Sequence, residues 1–185
     1  MTKRRRDEET KDKRQKIKDK MKKIIFVRHG KAEDAAAEFP DFERSLTARG
    51  KDISRQMAIK LKEKEKSLGS IVTSPAFRAL ETALIFAGVY SIQPEKIIIN
   101  SDLYFSIDKN SFLDILKNTE EDVNTITLFG HNPSFTELPE LLGKESIDVM
   151  PKSGIICLSF KSKTWSGVKL EAGSTDYFLK PKKVL

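Results

Sequence analysis

From residue 22 onward, short apolar runs alternate with longer stretches of helical periodicity, and this alternation constrains the fold more than any other property of the chain. Ile24 to Val27, Ser70 to Thr73, Ile97 to Ile99 and Thr125 to Phe129 are rich in β-branched or aromatic residues and bounded by turn formers, as buried strands are. Between them, residues 48–66 place Ile53, Met57 and Leu61 one turn apart, with Thr47 as N-cap and a Lys/Glu-rich outer face. Pro75 suits the first turn of a helix carrying Ala76 to Ala87, which Gly88 can stop. Phe112, Leu113, Ile115 and Leu116 predict a further short amphipathic helix. Ile155 to Phe160 and Val168 to Glu171 read as late strands joined around Trp165-Ser166-Gly167, a hairpin at one sheet edge. The pattern predicts an α/β sandwich with a largely parallel sheet.

Length and charge bound what this domain does. The 185 residues allow one domain with an appendage, and no apolar run approaches the roughly 20 residues of a spanning helix. Cys157 is the single cysteine, so a disulfide within the chain and a Cys-based metal site are excluded, and a reducing cytoplasm is expected. The net charge of +7 would suggest nucleic acid, but residues 1–23 hold 12 Lys+Arg against 5 Asp+Glu, while residues 24–185 hold 22 of each. The excess therefore sits in an arm with too few apolar residues to bury, and we divide the chain into a basic extension, 1–22, and a domain, 23–185. The arm reads as a solubilising extension, or as the result of a start placed upstream of a true beginning at Met21. A nuclear-localisation or nucleic-acid contact through Lys3-Arg4-Arg5-Arg6 is the competing reading. The five acidic residues argue against a transit peptide, and Ile24 to Val27 is too short for the apolar region of a secretory signal.

In an open α/β sheet, ligands bind beyond the carboxyl ends of the strands. There the first run ends in Arg28-His29-Gly30, the second in Thr73-Ser74-Pro75 with Arg78 one turn into the next helix, and the fourth in Gly130-His131-Asn132-Pro133. Both histidines of the chain thus occupy equivalent topological positions beside two arginines. Guanidiniums bind tetrahedral oxyanions bidentately at every working pH, so Arg28 and Arg78 suit a phosphoryl group. An imidazole is largely neutral at pH 7 and can attack phosphorus without a separate base, which makes His29 the candidate nucleophile. Arg28, Arg78, His131 and nearby backbone N–H groups would stabilise the equatorial oxygens in place of a metal, and Gly30 would let the backbone approach the phosphate.

Arg28-His29-Gly30, the stretch from Ser74-Pro75 through Arg78-Ala79-Leu80-Glu81-Thr82, and Gly130-His131, in that order, resemble the signature blocks of the histidine phosphatase superfamily with its phosphoglycerate-mutase-like fold. The Arg44-Ser45-Leu46-Thr47 segment and the lack of long insertions look most like the SixA-type phosphohistidine phosphatases. The resemblance implies a three-layer sandwich with a mostly parallel central sheet and helices on both faces. It also implies His29 as the phosphorylated nucleophile and a phosphate pocket of Arg28, Gly30, Arg78, His131 and Asn132. No cofactor or metal is implied.

The general acid is the open position. Asn132 follows His131, which removes one family location for a carboxylate; Asp102 is the candidate proton donor of the other, and Glu81 the alternative. An imidazole leaving group needs less acid help than an alkoxide, so protein phosphohistidine fits such a site. The alternatives are a small-molecule phosphomonoesterase and, in a different class, a basic-tailed phosphate-binding interaction protein. Phe39, Phe42, Tyr104 and Phe105 are candidates for the pocket rim, with Phe42 also readable as satellite core.

Overall fold

The computed structural model describes residues 21–34, 40–104 and 106–182. Among these, one six-stranded sheet runs in the order β3-β2-β4-β1-β5-β6. The strands are β1 (Lys22–Arg28), β2 (Ser70–Thr73), β3 (Ile97–Ile99), β4 (Thr125–Gly130), β5 (Ile155–Phe160) and β6 (Ser174–Leu179). The pairs β1·β4, β2·β4 and β2·β3 are parallel, whereas β5 is antiparallel to β1 and to β6, so the sheet is mixed. Four α-helices among the described residues cover it: α1 (Ala48–Lys64), α2 (Phe77–Tyr90), α3 (Lys109–Lys117) and α4 (Ser134–Leu142).

The three layers follow from the two-residue period of the strands. Ile25 and Val27 point to one face, where they pack with Met57, Ala58 and Leu61 of α1 and Ala83 and Phe86 of α2. Ile24 and Phe26 point to the other and meet Phe112, Ile115 and Leu116 of α3 and Phe135, Leu138 and Leu142 of α4. Thr47 caps α1 as expected, its Oγ1 accepting the Gly50 N–H at 2.9 Å. No helix of the described residues is long and apolar enough to cross a membrane.

Several expectations shift. β1 takes in Lys22, the last residue assigned to the extension. The ammonium is buried and donates to the carbonyls of Glu121 at 2.6 Å and Val123 at 2.9 Å, with the Trp165 ring 5.1 Å away. Gly88 does not stop α2, which runs on to Tyr90 and ends at Ser91 in the left-handed region, φ 57°. Val168 to Glu171 is no strand: Trp165 and Val168 are buried as a plug on the α3/α4 side, and the edge strand β6 lies further on. β6 begins with the polar Ser174-Thr175-Asp176 of a half-exposed edge, which carries little apolar signal. Helix α4 was unforeseen because Pro139 inside it reads as a breaker.

Candidate active site

The two histidines meet because β1 and β4 are neighbours in register. Arg28 pairs with Gly130, the His29 N–H donates to the Gly130 carbonyl at 3.1 Å, and the next residue on each strand is a histidine. Their ring centroids are 4.9 Å apart and both side chains are buried. His29 Nδ1 lies 2.7 Å from the Gly30 carbonyl oxygen. A carbonyl only accepts, so the ring proton sits on Nδ1 and the lone pair is left on Nε2. Burial is the main cause that holds His29 down to about 3, with the facing His131, Arg78 and Arg28 adding to it. His131 is held to about 4, by burial first and then by Arg78. Both rings are therefore neutral throughout the physiological range, and His29 Nε2 is a nucleophile that needs no base.

Gly30 has a packing requirement of its own beside the expected close approach to phosphate. A Cβ there would lie 2.5 Å from Ser54 Oγ and 3.0 Å from the Gly50 carbonyl, so glycine is required by the close approach of α1. Its N–H donates to Thr82 Oγ1 at 3.1 Å, and that hydroxyl donates to the Arg78 carbonyl at 2.7 Å, which joins the loop after His29 to α2.

The guanidiniums are tethered from distant segments. Arg28 Nη1 donates to the Met150 carbonyl at 2.6 Å, and the Asn132 amide reaches the same oxygen at 3.3 Å. Arg78 is buried and forks onto Asp41, with Nη1 on the backbone carbonyl at 2.5 Å and Nη2 on Oδ2 at 2.8 Å. Arg44 Nη1 binds the other carboxylate oxygen at 2.7 Å. Any anion entering at this fork would have to compete with Asp41 for it. His131 is held by Ser74, whose Oγ lies 2.8 Å from Nε2 and also accepts the Ala76 N–H at 3.3 Å. Its Nδ1 is buried and unpartnered among the described residues, which leaves that edge to a ligand.

His29, His131, Arg28, Arg78, Gly30 and Asn132 thus converge. Asp102 does not join them: it is exposed on the short turn Ser101–Leu103 and lines a neighbouring cavity of about 520 Å³. A larger cavity of about 760 Å³ lies away from both histidines, along β3 and α3. Glu81 is tied elsewhere, accepting the Leu46 N–H at 2.5 Å and pairing with Lys51 at 2.8 Å. Phe39 and Phe105 lie outside the described residues. Phe42 belongs to neither large core cluster and packs on Phe77 and Tyr104. Sequence reasoning missed Asp41, whose partner Arg78 is 37 residues away, and the role of Ser74, which reads as turn chemistry before Pro75.

Residues 24–103 match the family model of the histidine phosphatase superfamily, branch 1. This stretch belongs to that superfamily. Within this stretch the chain is accordingly related to phosphatases, and the sheet and helices of the described residues follow the fold of the solved structures below. The protein histidine phosphatase SixA, solved with tungstate, is similar at 24% identity and a TM-score of 0.73, over 86% of this chain and 97% of that one. A protein assigned as phosphohistidine phosphatase SixA in Agrobacterium tumefaciens is similar at 23% identity and 0.70, over 86% and 98%. A mycobacterial glucosyl-3-phosphoglycerate phosphatase is similar at 12% identity and 0.58, over 84% and 97%. At these identities the likeness is one of fold. No curated protein sequence matches significantly.

Proposed function

We propose that the protein is a metal-independent phosphatase whose His29 takes the phosphoryl group, and that its substrate is a phosphohistidine carried by another protein. The observation that carries the substrate reading is the state of Asp41, the carboxylate paired with Arg78. Asp41 accepts from Arg44 and from Arg78, which hold its carboxyl below the usual carboxylate range. An acid must be protonated to help an alkoxide leave, and Asp41 is ionised at neutral pH. A phosphorylated imidazole needs no such acid.

In the forward step the His29 Nε2 lone pair forms a bond to phosphorus while the substrate P–N bond breaks. The electron pair returns to a ring that already carries a proton on its other nitrogen, and neutral imidazole leaves. Water then attacks phospho-His29, the P–N electron pair returns to Nε2, and phosphate departs with the water's protons. Arg28, Arg78 and His131 stabilise the equatorial oxygens in both steps. For an ester substrate, which needs a protonated acid, the donor we propose is Asp102, which would have to act from the adjoining cavity because it stands outside the cluster of histidines and guanidiniums. The reading places the activity in the cytoplasm and assigns no role in it to nucleic acid, since the chain from residue 24 carries equal numbers of acidic and basic residues.

The test measures kcat/KM, with chelator present, on a phosphorylated histidine-containing domain and on a panel of sugar phosphates. His29→Ala is expected to lose turnover on all of them while keeping its fold, and Asp102→Asn to lose turnover on the esters only. Undiminished activity of His29→Ala refutes the mechanism, and a preference for the sugar phosphates returns the substrate to the phosphomonoester class.

A further inference from the structure

A row of aromatic rings leads away from His131. Phe77 and Phe42 lie 5.8 Å apart between centroids, Phe42 and Tyr104 5.5 Å, and Tyr104 and His131 6.0 Å, the last two contacts being edge-to-face. Phe77 precedes Arg78 at the start of α2 and Phe42 follows Asp41, so the ring contact and the ion pair are adjacent layers of one junction. The Tyr104 hydroxyl donates to Asp41 Oδ2 at 3.4 Å and ties the row to the same junction. None of the three rings belongs to the two large core clusters, and Phe77 is 42% exposed.

Phe42 and Tyr104 line the cavity of about 520 Å³ together with the apolar Pro75 and Ile107 and with polar residues that include Asp102 and Asp108. His29, His131 and Arg78 are themselves buried, so whatever is attached to the phosphorus must extend outward from them. Through Tyr104, this cavity adjoins both His131 and the Asp41–Arg78 pair. We propose that it is the leaving-group subsite and that it selects planar ring leaving groups, an imidazole foremost, by contact with Phe42 and Tyr104. The inference rests on the phosphohistidine reading and narrows it.

Aromatic rings favour edge-to-face and offset contacts at about 4.5–7 Å. The row already spaces its members so, and a further ring continues the pattern. The carboxylate of Asp102 on the same cavity suits a ring that is protonated, and so positively charged, before its P–N bond breaks, while that of Asp108 is engaged in capping α3. An alkyl group gains neither contact.

The experiment compares N-phosphoimidazole with phosphoramidate, two P–N substrates of which only the first carries a ring. Tyr104→Leu and Phe42→Leu are each expected to lower the ratio of kcat/KM values, ring over ring-free, by about 2- to 10-fold. Tyr104→Phe is expected to retain most of that ratio, since it keeps the ring and loses only the hydroxyl. Equal loss on both substrates in the Leu variants, or a ratio that falls as far in Tyr104→Phe, overturns the inference. Tungstate inhibition measured beside each assay reports whether the phosphate pocket of each variant is intact. Phenyl phosphate and ethyl phosphate run in the same variants separate the two readings. If neither P–N substrate turns over, the phosphohistidine reading fails, and the ester ratio alone then supports the subsite if it depends on the rings or refutes it if it does not.

Discussion

Lowering the pH from 7.5 to 5.5 should cost the folded domain about 3 kcal/mol through its two histidines alone. In the unfolded chain an imidazole takes up its proton near pH ~6.5. In the fold, burial and the facing guanidiniums hold His29 to about 3 and His131 to about 4. Both folded values are depressed, so between them and ~6.5 the unfolded chain binds more protons. The stability is then present above pH ~6.5 and is lost as the pH falls toward the folded values. At one unit below the unfolded pKa each ring accounts for about 1.4 kcal/mol. That figure is the same for any folded pKa below roughly 4.5, so it does not depend on the depth of the depression. Carboxylates of the unfolded chain, with pKa values near ~4, contribute little in this window. With a urea dependence of about 1–3 kcal/mol per molar, the unfolding midpoint should fall by about 1–3 M. The assay is urea unfolding followed by circular dichroism at both pH values, for the parent and for His29→Gln, His131→Gln and the double variant. Each single variant should retain about half the pH dependence, and the double variant should flatten it. A parent midpoint that stays level between pH 7.5 and 5.5 would refute the claim that the fold keeps these rings neutral.

Three other perturbations follow from particular contacts. Lys22→Met leaves the carbonyls of Glu121 and Val123 without their buried donor and should cost about 1–3 kcal/mol in urea unfolding, whereas an arm-type lysine would cost nothing. Gly30→Ala drives a methyl into Ser54 Oγ and the Gly50 carbonyl and should destabilise by about 1–3 kcal/mol, part of which Ser54→Ala recovers by removing the nearer atom. Asp41→Asn removes the carboxylate that competes for Arg78, so inhibition by inorganic phosphate should tighten about fivefold; weaker inhibition would mean that Asp41 orients Arg78 for its ligand.

What could be read from the chain depended on how local the cause was. The strands from Ile24, Ser70, Ile97 and Thr125 were legible because β-branched runs between turn residues need no partner to be recognised. The late β5–β6 pairing was misplaced because Val168 and Leu170 alternate as a strand does, yet Val168 is buried beneath α3 and α4 as part of a plug. Helix α4 was invisible for the converse reason, a proline whose local cost is offset by burial of Phe135, Leu138 and Leu142.

The amino-acid sequence by itself determined which residues stand at the carboxyl ends of the strands, because the end of a strand is a local property and its turn residues stand next to it. That was enough to bring His29, His131, Arg28 and Arg78 to one edge. Only the tertiary structure decided the state in which they stand. The Nδ1 proton of His29, the neutrality of both rings and the fork of Arg78 onto Asp41 all arise from burial and from groups that meet through space. Lys22 makes the same point at the start of the chain: counted with a basic arm, it is held inside the domain by carbonyls 99 and 101 residues away. Desolvation and hydrogen-bond geometry depend on what surrounds an atom, and neither is encoded in the residues beside it.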